Sequence, residues 1–372
     1  MNKGFHTPSG VYLLSHSVGC LPCKTKQALD EKYFEPWGNL GGNAWDAWLE
    51  QIEEFKTALA MLLGSSANSF CPQTNISSAL TKILSSFPSS KDKNSIAYSA
   101  HDFPSTGFVI SQLKKTGYQL SALSKDQQIT DLEAWNRLLS LQTKAVFITH
   151  VSSDISAMAP VKKIIEIAKQ HHIITIVDIA QSAGIIPISL DEWDADFVIG
   201  SSVKWLCGGP GAAFLWVNPN KQSQWEPLDV GWFSHQTPFE FDINNFKYAE
   251  SANRFWGGTP SIAPFIAATT GIKELLTFGI DKSYKHNRRL TQKIIDYATD
   301  TSLTLETPLT AEQRGGTVSI RFQEVDKIKN ILNDNRIFYD VRRNNLFRFS
   351  PHIYNNEKEI TTLCDLIQST TS

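Results

Sequence analysis

Two residues whose side chains could take part in catalysis follow two short apolar runs in the middle of the chain. Asp178 comes directly after residues 173–177, and Lys204 comes shortly after residues 197–199. Each run is typical of a buried strand, and in an open α/β sheet ligands bind at the rim formed by the carboxyl ends of the strands. A lysine amine there can bond to an aldehyde and a carboxylate can pair with a protonated ring nitrogen, which suits pyridoxal 5′-phosphate (PLP). The alternative is two unrelated surface residues on adjacent loops.

Strand-like and helix-like segments alternate along the chain before these two residues. Strand patterns at 95–98 and 145–148 are followed by helical patterns at 104–113 and 161–168. Such alternation predicts a mostly parallel sheet with helices on both faces. The fold class that we expect is therefore α/β.

The last third of the chain has a different pattern. Helical stretches at 261–278 and 281–298 lead to strand-like residues at 317–322 and 346–349, which are separated by one further helix. This order is typical of a small α+β domain. We predict an N-terminal arm and helix at 1–40 that contribute to the small domain, a large PLP-binding domain at 41–260 and a small C-terminal domain at 261–372.

The composition is that of a globular protein without a nucleic-acid or membrane partner. Hydrophobic residues make up 41% and charged residues 19% of the 372 residues, which is enough to bury a large core. The net charge is −2 and no basic run occurs, so we expect no nucleic-acid partner. No apolar run approaches about 18 residues, and no secretory signal is evident, so we predict a cytoplasmic location. Cys20 and Cys23 lack a second pair or a histidine cluster, so no metal site is predicted.

A polar turn within residues 70–80 could bind a phosphate group. Gln73 and Thr74 precede an apolar helical pattern, and backbone N–H groups at a helix N-terminus bind phosphate. Threonine and asparagine also occur at such positions simply as helix caps. The glycines in 208–211 do not follow G-x-G-x-x-G, so a dinucleotide site is a poor fit. Residues 225–264 form a long aromatic-rich stretch without periodicity, which is typical of a functional loop.

Together these residues resemble the PLP-dependent enzymes of the class-V aminotransferase group, which have the aspartate-aminotransferase-like fold, and within that group they are most similar to kynureninase. The resemblance extends over nearly the whole chain and depends on short motifs that occur in the expected order. These motifs are residues 12–22, Phe103-Pro104-Ser105, Thr149-His150-Val151, residues 208–211, residues 231–235, and Arg348 followed by residues 353–356. The resemblance implies a seven-stranded sheet between layers of helices and a smaller C-terminal α+β domain.

The resemblance also implies a role for each matching residue. Lys204 would hold PLP covalently and move protons at the substrate α-carbon, while Asp178 would keep the pyridine nitrogen protonated. Phe103 would stack on the ring, and Arg348 would pair with the α-carboxylate of an amino acid. Thr259 would reach the cofactor phosphate of a neighbouring subunit, which implies a homodimer. The other implied contacts are to the cofactor from Gln73, Thr74, Ser105, Thr149, Gln181, Ser201, Ser202 and Trp232, and to the substrate from His16 and His235.

Two positions distinguish this chain from kynureninases. Gln181 stands where they usually have histidine, and Val203 stands where they usually have tyrosine. Cysteine desulfurases of the same group carry the glutamine, but they also need a nucleophilic cysteine, and residues 306–351 contain none. The leading hypothesis is a kynureninase-like hydrolase that cleaves the Cβ–Cγ bond of a kynurenine-type amino acid. Transamination or β-elimination of another amino acid and a PLP-binding protein without catalysis are the alternatives.

Overall fold

The elements that position the site are taken from a computed structural model, which describes residues 4–88 and 92–371. Residues 1–3 of the predicted N-terminal arm lie outside this part. The strands are, in chain order, β1 (Phe5–His6), β2 (Val11–Tyr12), β3 (Leu21–Pro22), β4 (Phe70–Gln73), β5 (Ser95–Ser99), β6 (Gln119–Leu123), β7 (Thr143–Thr149), β8 (Ile174–Asp178), β9 (Phe197–Ser201), β10 (Ala213–Val217), β11 (Thr304–Leu305), β12 (Val318–Arg321), β13 (Ile337–Phe338), β14 (Asp340–Arg342) and β15 (Leu346–Phe349).

The α-helices are α1 (Thr25–Leu29), α2 (Glu35–Leu40), α3 (Trp45–Leu63), α4 (Ile76–Ser85), α5 (Pro104–Gln112), α6 (Leu132–Leu138), α7 (Val161–Gln170), α8 (Leu190–Trp193), α9 (Ala263–Phe278), α10 (Ile280–Asp300), α11 (Val325–Asp334) and α12 (Glu357–Thr371). A π-helical segment, Asp30–Phe34, joins α1 to α2. Within the described residues, no helix has the length and apolar character needed to cross a bilayer.

Seven strands form the central sheet, in the order β4-β10-β9-β8-β7-β5-β6. Neighbouring strands from β9 to β6 pair in parallel, whereas β10 is antiparallel to both β9 and β4. The inner strands β7, β8 and β9 are buried along almost their whole length, as expected when helices cover both faces. The predicted mostly parallel, seven-stranded α/β architecture is confirmed.

Alternate residues of the inner strands face opposite layers of helices. Val177 belongs to the core cluster that contains residues of α3 and α9, whereas its neighbour Ile176 belongs to the cluster that contains residues of α4 and α5. The first layer is joined by Phe55 and Phe265, whose ring centroids are 4.9 Å apart. Burial on both faces makes this sheet a rigid support for side chains at its rim.

The register of the sheet brings the predicted site residues to one rim. Thr149 pairs opposite Asp178, and Asp178 pairs opposite Ile199, so β7, β8 and β9 end close together. Lys204 lies on the turn that follows β9, and Phe103 directly precedes α5. The carboxyl ends of the parallel strands therefore carry both the acid and the lysine.

A second sheet, near the C-terminus, is antiparallel and has the order β11-β12-β15-β14. Helices α10, α11 and α12 share its apolar core. The N-terminal arm is tied to this part because β2 pairs in parallel with β13 and Leu14 forms a bridge to Ser350. The arm that carries His16 and the strand that carries Arg348 are consequently neighbours.

The turn predicted within residues 70–80 is only partly a turn. Phe70–Gln73 form the fully buried strand β4, and residues 74 and 75 alone connect it to α4. Pairing with β10 overrides the turn preference of this stretch. Pro72 is tolerated opposite Phe214 because β4 is an edge strand, where a missing N–H costs little.

Two helical glycines are expected to respond in opposite directions to the same substitution. A Cβ on Gly271 in α9 would lie 2.2 Å from the carbonyl oxygen of Leu206, near Lys204, whereas one on Gly107 in α5 would meet nothing within 4 Å. Gly271→Ala is expected to lower the free energy of unfolding by about 1–3 kcal/mol. Gly107→Ala is expected to raise it by about 0.5–1 kcal/mol. Denaturant unfolding measures both changes, and equal effects would contradict the close approach of α9 to the Lys204 turn.

Candidate active site

A cleft of about 350 Å³ opens at the carboxyl rim of the central sheet. It is formed by the N-terminal arm, the first residues of α4 and α5, the ends of β8 and β9, and the β14–β15 hairpin. The predicted site residues that line it are His16, Phe103, Ser105, Asp178, Gln181, Ser201, Lys204 and Arg348. The fold thus brings together side chains that are widely separated in the sequence.

Lys204 and Asp178 influence each other's ionisation in this cleft. Asp178 is buried, and its Oδ1 accepts a hydrogen bond of 2.7 Å from the Ala180 N–H. Burial raises the pKa of Asp178, although that hydrogen bond and the charge of Lys204 oppose the rise. Burial lowers the pKa of Lys204, and Asp178 opposes this while Arg348 and Arg342 add to it. A lowered pKa leaves more of the uncharged amine, which is the form that attacks an aldehyde.

The segment before α5 contributes an aromatic ring and a second carboxyl group. The Phe103 ring centroid lies 5.8 Å from Lys204 Nζ, so a flat ring held by the lysine could stack against it. Asp102 accepts hydrogen bonds from Thr149 Oγ1 at 2.6 Å and from the Ser99 N–H at 2.9 Å. Thr149, predicted to contact the cofactor, therefore directs its hydroxyl to Asp102. Sequence reasoning missed Asp102 because an aspartate before a helix is also an ordinary cap.

Asp102 is expected to make stability depend on pH below neutrality. Burial, with a smaller contribution from Asp178, raises the pKa of Asp102 to about 7 despite its hydrogen bonds. The folded protein therefore keeps a proton that the unfolded chain releases near pH 4, so this group weakens folding as the pH rises from about 4 to about 7. Asp102→Asn removes this contribution. The thermal midpoint of the cofactor-free variant minus that of the unsubstituted protein is therefore expected to increase as the pH rises from about 4 to about 7. A difference that stays constant over this range would contradict the raised pKa.

The orientation of the Gln181 amide is determined by two neighbours. The Trp205 indole, which can only donate, donates to Gln181 Oε1 at 3.2 Å, and Gln181 Nε2 donates to the main-chain oxygen of His16 at 3.1 Å. The second N–H of Nε2 can therefore serve an acceptor in the cleft. Trp205, directly after the lysine, was not predicted as a functional residue. The only feature of the sequence that could have indicated a role for Trp205 is its position next to Lys204.

The start of α4 supplies donors for an anion. Asn75, Ile76 and Ser77 line the cleft, and Asn75 caps the helix by accepting a hydrogen bond of 2.8 Å from the Ser78 N–H. Free N–H groups and the helix dipole favour negative charge at such a terminus. The helix start predicted to bind phosphate is thus at the cleft through residues 75–77.

Arg348 is almost fully buried and forms a bidentate ion pair with Asp340. Its Nε donates to Asp340 Oδ1 at 2.6 Å, its Nη2 donates to Oδ2, and its Nη1 donates to the main-chain oxygen of Ser153. Burial raises the pKa of Asp340, but the hydrogen bonds from His16 and Arg348 outweigh burial and hold this pKa well below its ordinary value. Asp340 was also missed from the sequence. A buried arginine with an anionic partner is stable where an unpaired one would not be.

Several predicted residues lie outside this cleft. Gln73, Thr74 and Thr259 line a separate cavity of about 280 Å³, and Trp232 and His235 line an aromatic cavity of about 310 Å³. The side chain of Gln73 donates to the main-chain oxygen of Phe255 at 3.0 Å. Ser202 is fully buried, and its hydroxyl has no hydrogen-bond partner in the described part of the chain. Contacts of these residues with a cofactor or substrate stay predictions.

The cleft fits pyridoxal phosphate on the chemistry of its donors. Lys204 offers an amine with a lowered pKa, and the adjacent Asp178 is a buried carboxylate that could pair with a ring nitrogen. Phe103 offers an aromatic face, Gln181 an amide N–H for a ring oxygen, and the start of α4 an anion site for the phosphate.

A mostly parallel sheet with a lysine and a carboxylate in a cleft at its rim is the arrangement expected of a PLP-dependent enzyme. The chain belongs to the aminotransferase class-V family, whose model matches residues 11–363. It is 27% identical over 333 residues to the uncharacterized aminotransferase YcbU of Bacillus subtilis (strain 168), covering 89% of this chain and 86% of that protein. It is 25% identical over 365 residues to a kynureninase of Pseudomonas fluorescens, covering 94% and 86%.

Solved structures support the fold. The apo cysteine desulfurase of Thermococcus onnurineus NA1 has a TM-score of 0.84 at 21% identity, covering 97% of this chain and 94% of that one. The cystine C–S lyase C-DES, in complex with cysteine persulfide, has a TM-score of 0.87 at 18% identity, covering 97% of each chain. At these identities the likeness establishes the PLP-dependent transferase fold.

Proposed function

We propose that this PLP-dependent enzyme is a kynureninase-like hydrolase, which cleaves the Cβ–Cγ bond of an α-amino acid that carries a ketone at Cγ. The observation that carries the proposal is the single cleft that joins Lys204, Asp178 and Arg348. Its support from relatives is the match to kynureninases over most of both chains.

In this mechanism PLP, when bound, supplies an aldehyde for the substrate amino group and a ring that withdraws electrons from the α-carbon. Arg348 binds the α-carboxylate and so orients the bond to be broken. The Lys204 amine accepts the proton from the α-carbon and later returns a proton to the substrate. Asp178 pairs with the protonated ring nitrogen. Water adds to the Cγ ketone, the Cβ–Cγ bond breaks and Cβ takes up a proton, so the products are a carboxylic acid and alanine.

Transamination is the second candidate reaction, with β-elimination as a further variant. It is favoured by Gln181, whose amide is held by Trp205 and His16, and by Val203, which cannot donate a proton where kynureninases have a tyrosine. The similarity to the aminotransferase YcbU adds to this candidate. A PLP-binding protein without catalysis is disfavoured because Lys204 and Asp178 are both in the cleft.

An assay with L-kynurenine and 3-hydroxykynurenine tests the proposal. Hydrolysis is expected to release the corresponding fluorescent aromatic acid and an equal amount of alanine. If the amino group instead appears on an added keto acid, the enzyme is an aminotransferase. Loss of an acidic or thiol group from the substrate β-carbon would indicate the lyase. A PLP-loaded protein that converts no amino acid would overturn all the catalytic candidates.

We also infer a cytoplasmic homodimer in which Thr259 reaches the phosphate site of the second copy. Thr259 is exposed and lies apart from the Lys204 cleft of its own chain, which suits a contact with another subunit. Light scattering measures the oligomeric state. If the protein is dimeric, Thr259→Ala is expected to weaken PLP binding, and a monomeric holoenzyme would exclude this arrangement.

A further inference from the structure

We propose that Asp340 is a positioning residue for substrate recognition: it occupies one edge of the Arg348 guanidinium and thereby presents another edge to a substrate carboxylate. This inference rests on the proposed role of Arg348 as the α-carboxylate partner. It gives a function to a carboxylate that neither motif nor sequence resemblance brought forward.

The contacts of Arg348 leave a defined part of its guanidinium for a ligand. Nε and one N–H of Nη2 donate to the two oxygens of Asp340, and one N–H of Nη1 donates to the main-chain oxygen of Ser153. Among the residues that the structure describes, one N–H on Nη1 and one on Nη2 meet no hydrogen-bond acceptor. Arg348 lines the Lys204 cleft, so these terminal donors can form the two parallel hydrogen bonds that a carboxylate accepts.

Strand pairing sets this geometry. Asp340 lies directly opposite Arg348 in the antiparallel pair β14–β15, and the neighbours Phe347 and Phe349 face the apolar core. The Arg348 side chain therefore points to the opposite face of the strand from the two phenylalanines. Asp340 lies on that same face. An arginine side chain is flexible, and a bidentate partner reduces the conformations that the substrate would otherwise have to restrict.

His16 of the N-terminal arm holds Asp340 in turn. Its Nε2 lies 3.2 Å from Asp340 Oδ1, and its Nδ1 lies 2.6 Å from Ser350 Oγ. Burial lowers the pKa of His16 to about 4, so the ring is neutral at pH 7 and carries one proton. The carboxylate can only accept, so Nε2 carries that proton and donates it to Asp340. His16, which lines the cleft and is predicted to bind substrate, therefore also supports the Asp340 carboxylate.

Carboxylate recognition can be measured without knowing the reaction. Binding of L-alanine and of ethylamine to the PLP-loaded enzyme is followed by the change in visible absorption, and the ratio of the two affinities reports the contribution of the carboxylate. We expect Asp340→Asn to lower this ratio by about tenfold, with ethylamine affinity and PLP content unchanged. Asp340→Glu is expected to recover part of the ratio.

Asp154→Asn is the matched control. Asp154 accepts a hydrogen bond of 2.6 Å from Arg343, a neighbouring arginine–aspartate pair that does not line the cleft, and its loss is expected to leave the ratio unchanged. If Asp340→Asn does not fold, His16→Gln replaces it, and we expect about a threefold lower ratio because Asp340 is held less firmly.

The affinity ratios of the Asp340 and Arg348 variants decide whether the positioning role holds. An unchanged ratio in Asp340→Asn, or an equal loss of both affinities, overturns the positioning role. The Arg348→Gln variant shows whether only the positioning role of Asp340 is wrong or whether the proposed role of Arg348 is wrong as well. If Arg348→Gln abolishes the preference for L-alanine but Asp340→Asn keeps it, only the inference on Asp340 fails. If Arg348→Gln also keeps the preference, Arg348 is not the carboxylate partner and both proposals fall.

Discussion

Replacing Lys204 with alanine is expected to lower turnover by at least about a thousandfold, because in the proposed mechanism one amine serves both as the covalent anchor and as the base at the substrate α-carbon. Borohydride reduction of the holoenzyme is expected to fix the cofactor on the peptide that contains Lys204, and the variant is expected to lose this label. The physical basis is an amine whose pKa is lowered by burial and which lies beside Asp178. Steady-state kinetics and peptide mass spectrometry give the two readouts.

Lys221 provides a control with a similar partner but a different place in the fold. Its Nζ lies 2.7 Å from Asp196 Oδ1, outside the cleft. Lys221→Met is expected to keep both the label on Lys204 and the turnover of the folded enzyme. Labelling of any other lysine, or a Lys204→Ala enzyme with turnover within about tenfold of the original, would contradict the assignment of Lys204.

Asp178→Asn is expected to have the second largest effect, a fall in turnover of about a hundredfold or more. The amide has nearly the same shape but cannot stabilise a protonated ring nitrogen. Its loss also removes the charge that raises the pKa of Lys204, so in the cofactor-free protein this lysine is expected to titrate at lower pH. Burial raises the pKa of Asp178 itself, which means that the ionised carboxylate is costly in the fold. The thermal midpoint of the variant is therefore expected to stay the same or to rise.

Asp196 lies at the opposite end of the same sheet and is expected to behave in the reverse way. Asp196 directly precedes β9. Its Oδ2 accepts hydrogen bonds from the Thr175 N–H at 2.8 Å and from Thr175 Oγ1 at 2.9 Å. Asp196→Asn is expected to lower the free energy of unfolding by about 1–3 kcal/mol while leaving turnover per folded molecule unchanged. If Asp178→Asn lost stability and kept its turnover, Asp178 would be a structural residue.

Much of the central sheet was predictable because its strands have strong local signals. The runs before Asp178 and Lys204 are continuous and apolar, since strands covered on both faces need no polar alternation. The order of strands and helices then requires both residues at one rim. Residues 70–73 show where local reasoning failed. Their composition indicates a turn, but pairing with β10 makes them an edge strand.

The two carboxyl groups that hold Arg348 and Thr149 were harder to find. Asp340 could have been found from the hairpin pattern, because Asn344, a residue type that tolerates positive φ, lies in the short turn that pairs Asp340 with Arg348. Asp102 offered no such signal. Its contact with Thr149 joins residues 47 positions apart and exists only because β5 and β7 are adjacent in the sheet.

The sequence by itself indicated the fold class, because strand and helix patterns alternate, and its resemblance to the class-V aminotransferase group indicated the cofactor. Strand periodicity also placed Asp178 and Lys204 at a common rim. Tertiary structure alone decided how the pair is surrounded. It raised the pKa of Asp178 by burial and lowered that of Lys204. It also brought His16 into hydrogen-bonding contact with Asp340. Burial, charge and hydrogen bonding between distant segments arise only when the chain is folded, so no local pattern in the sequence records them.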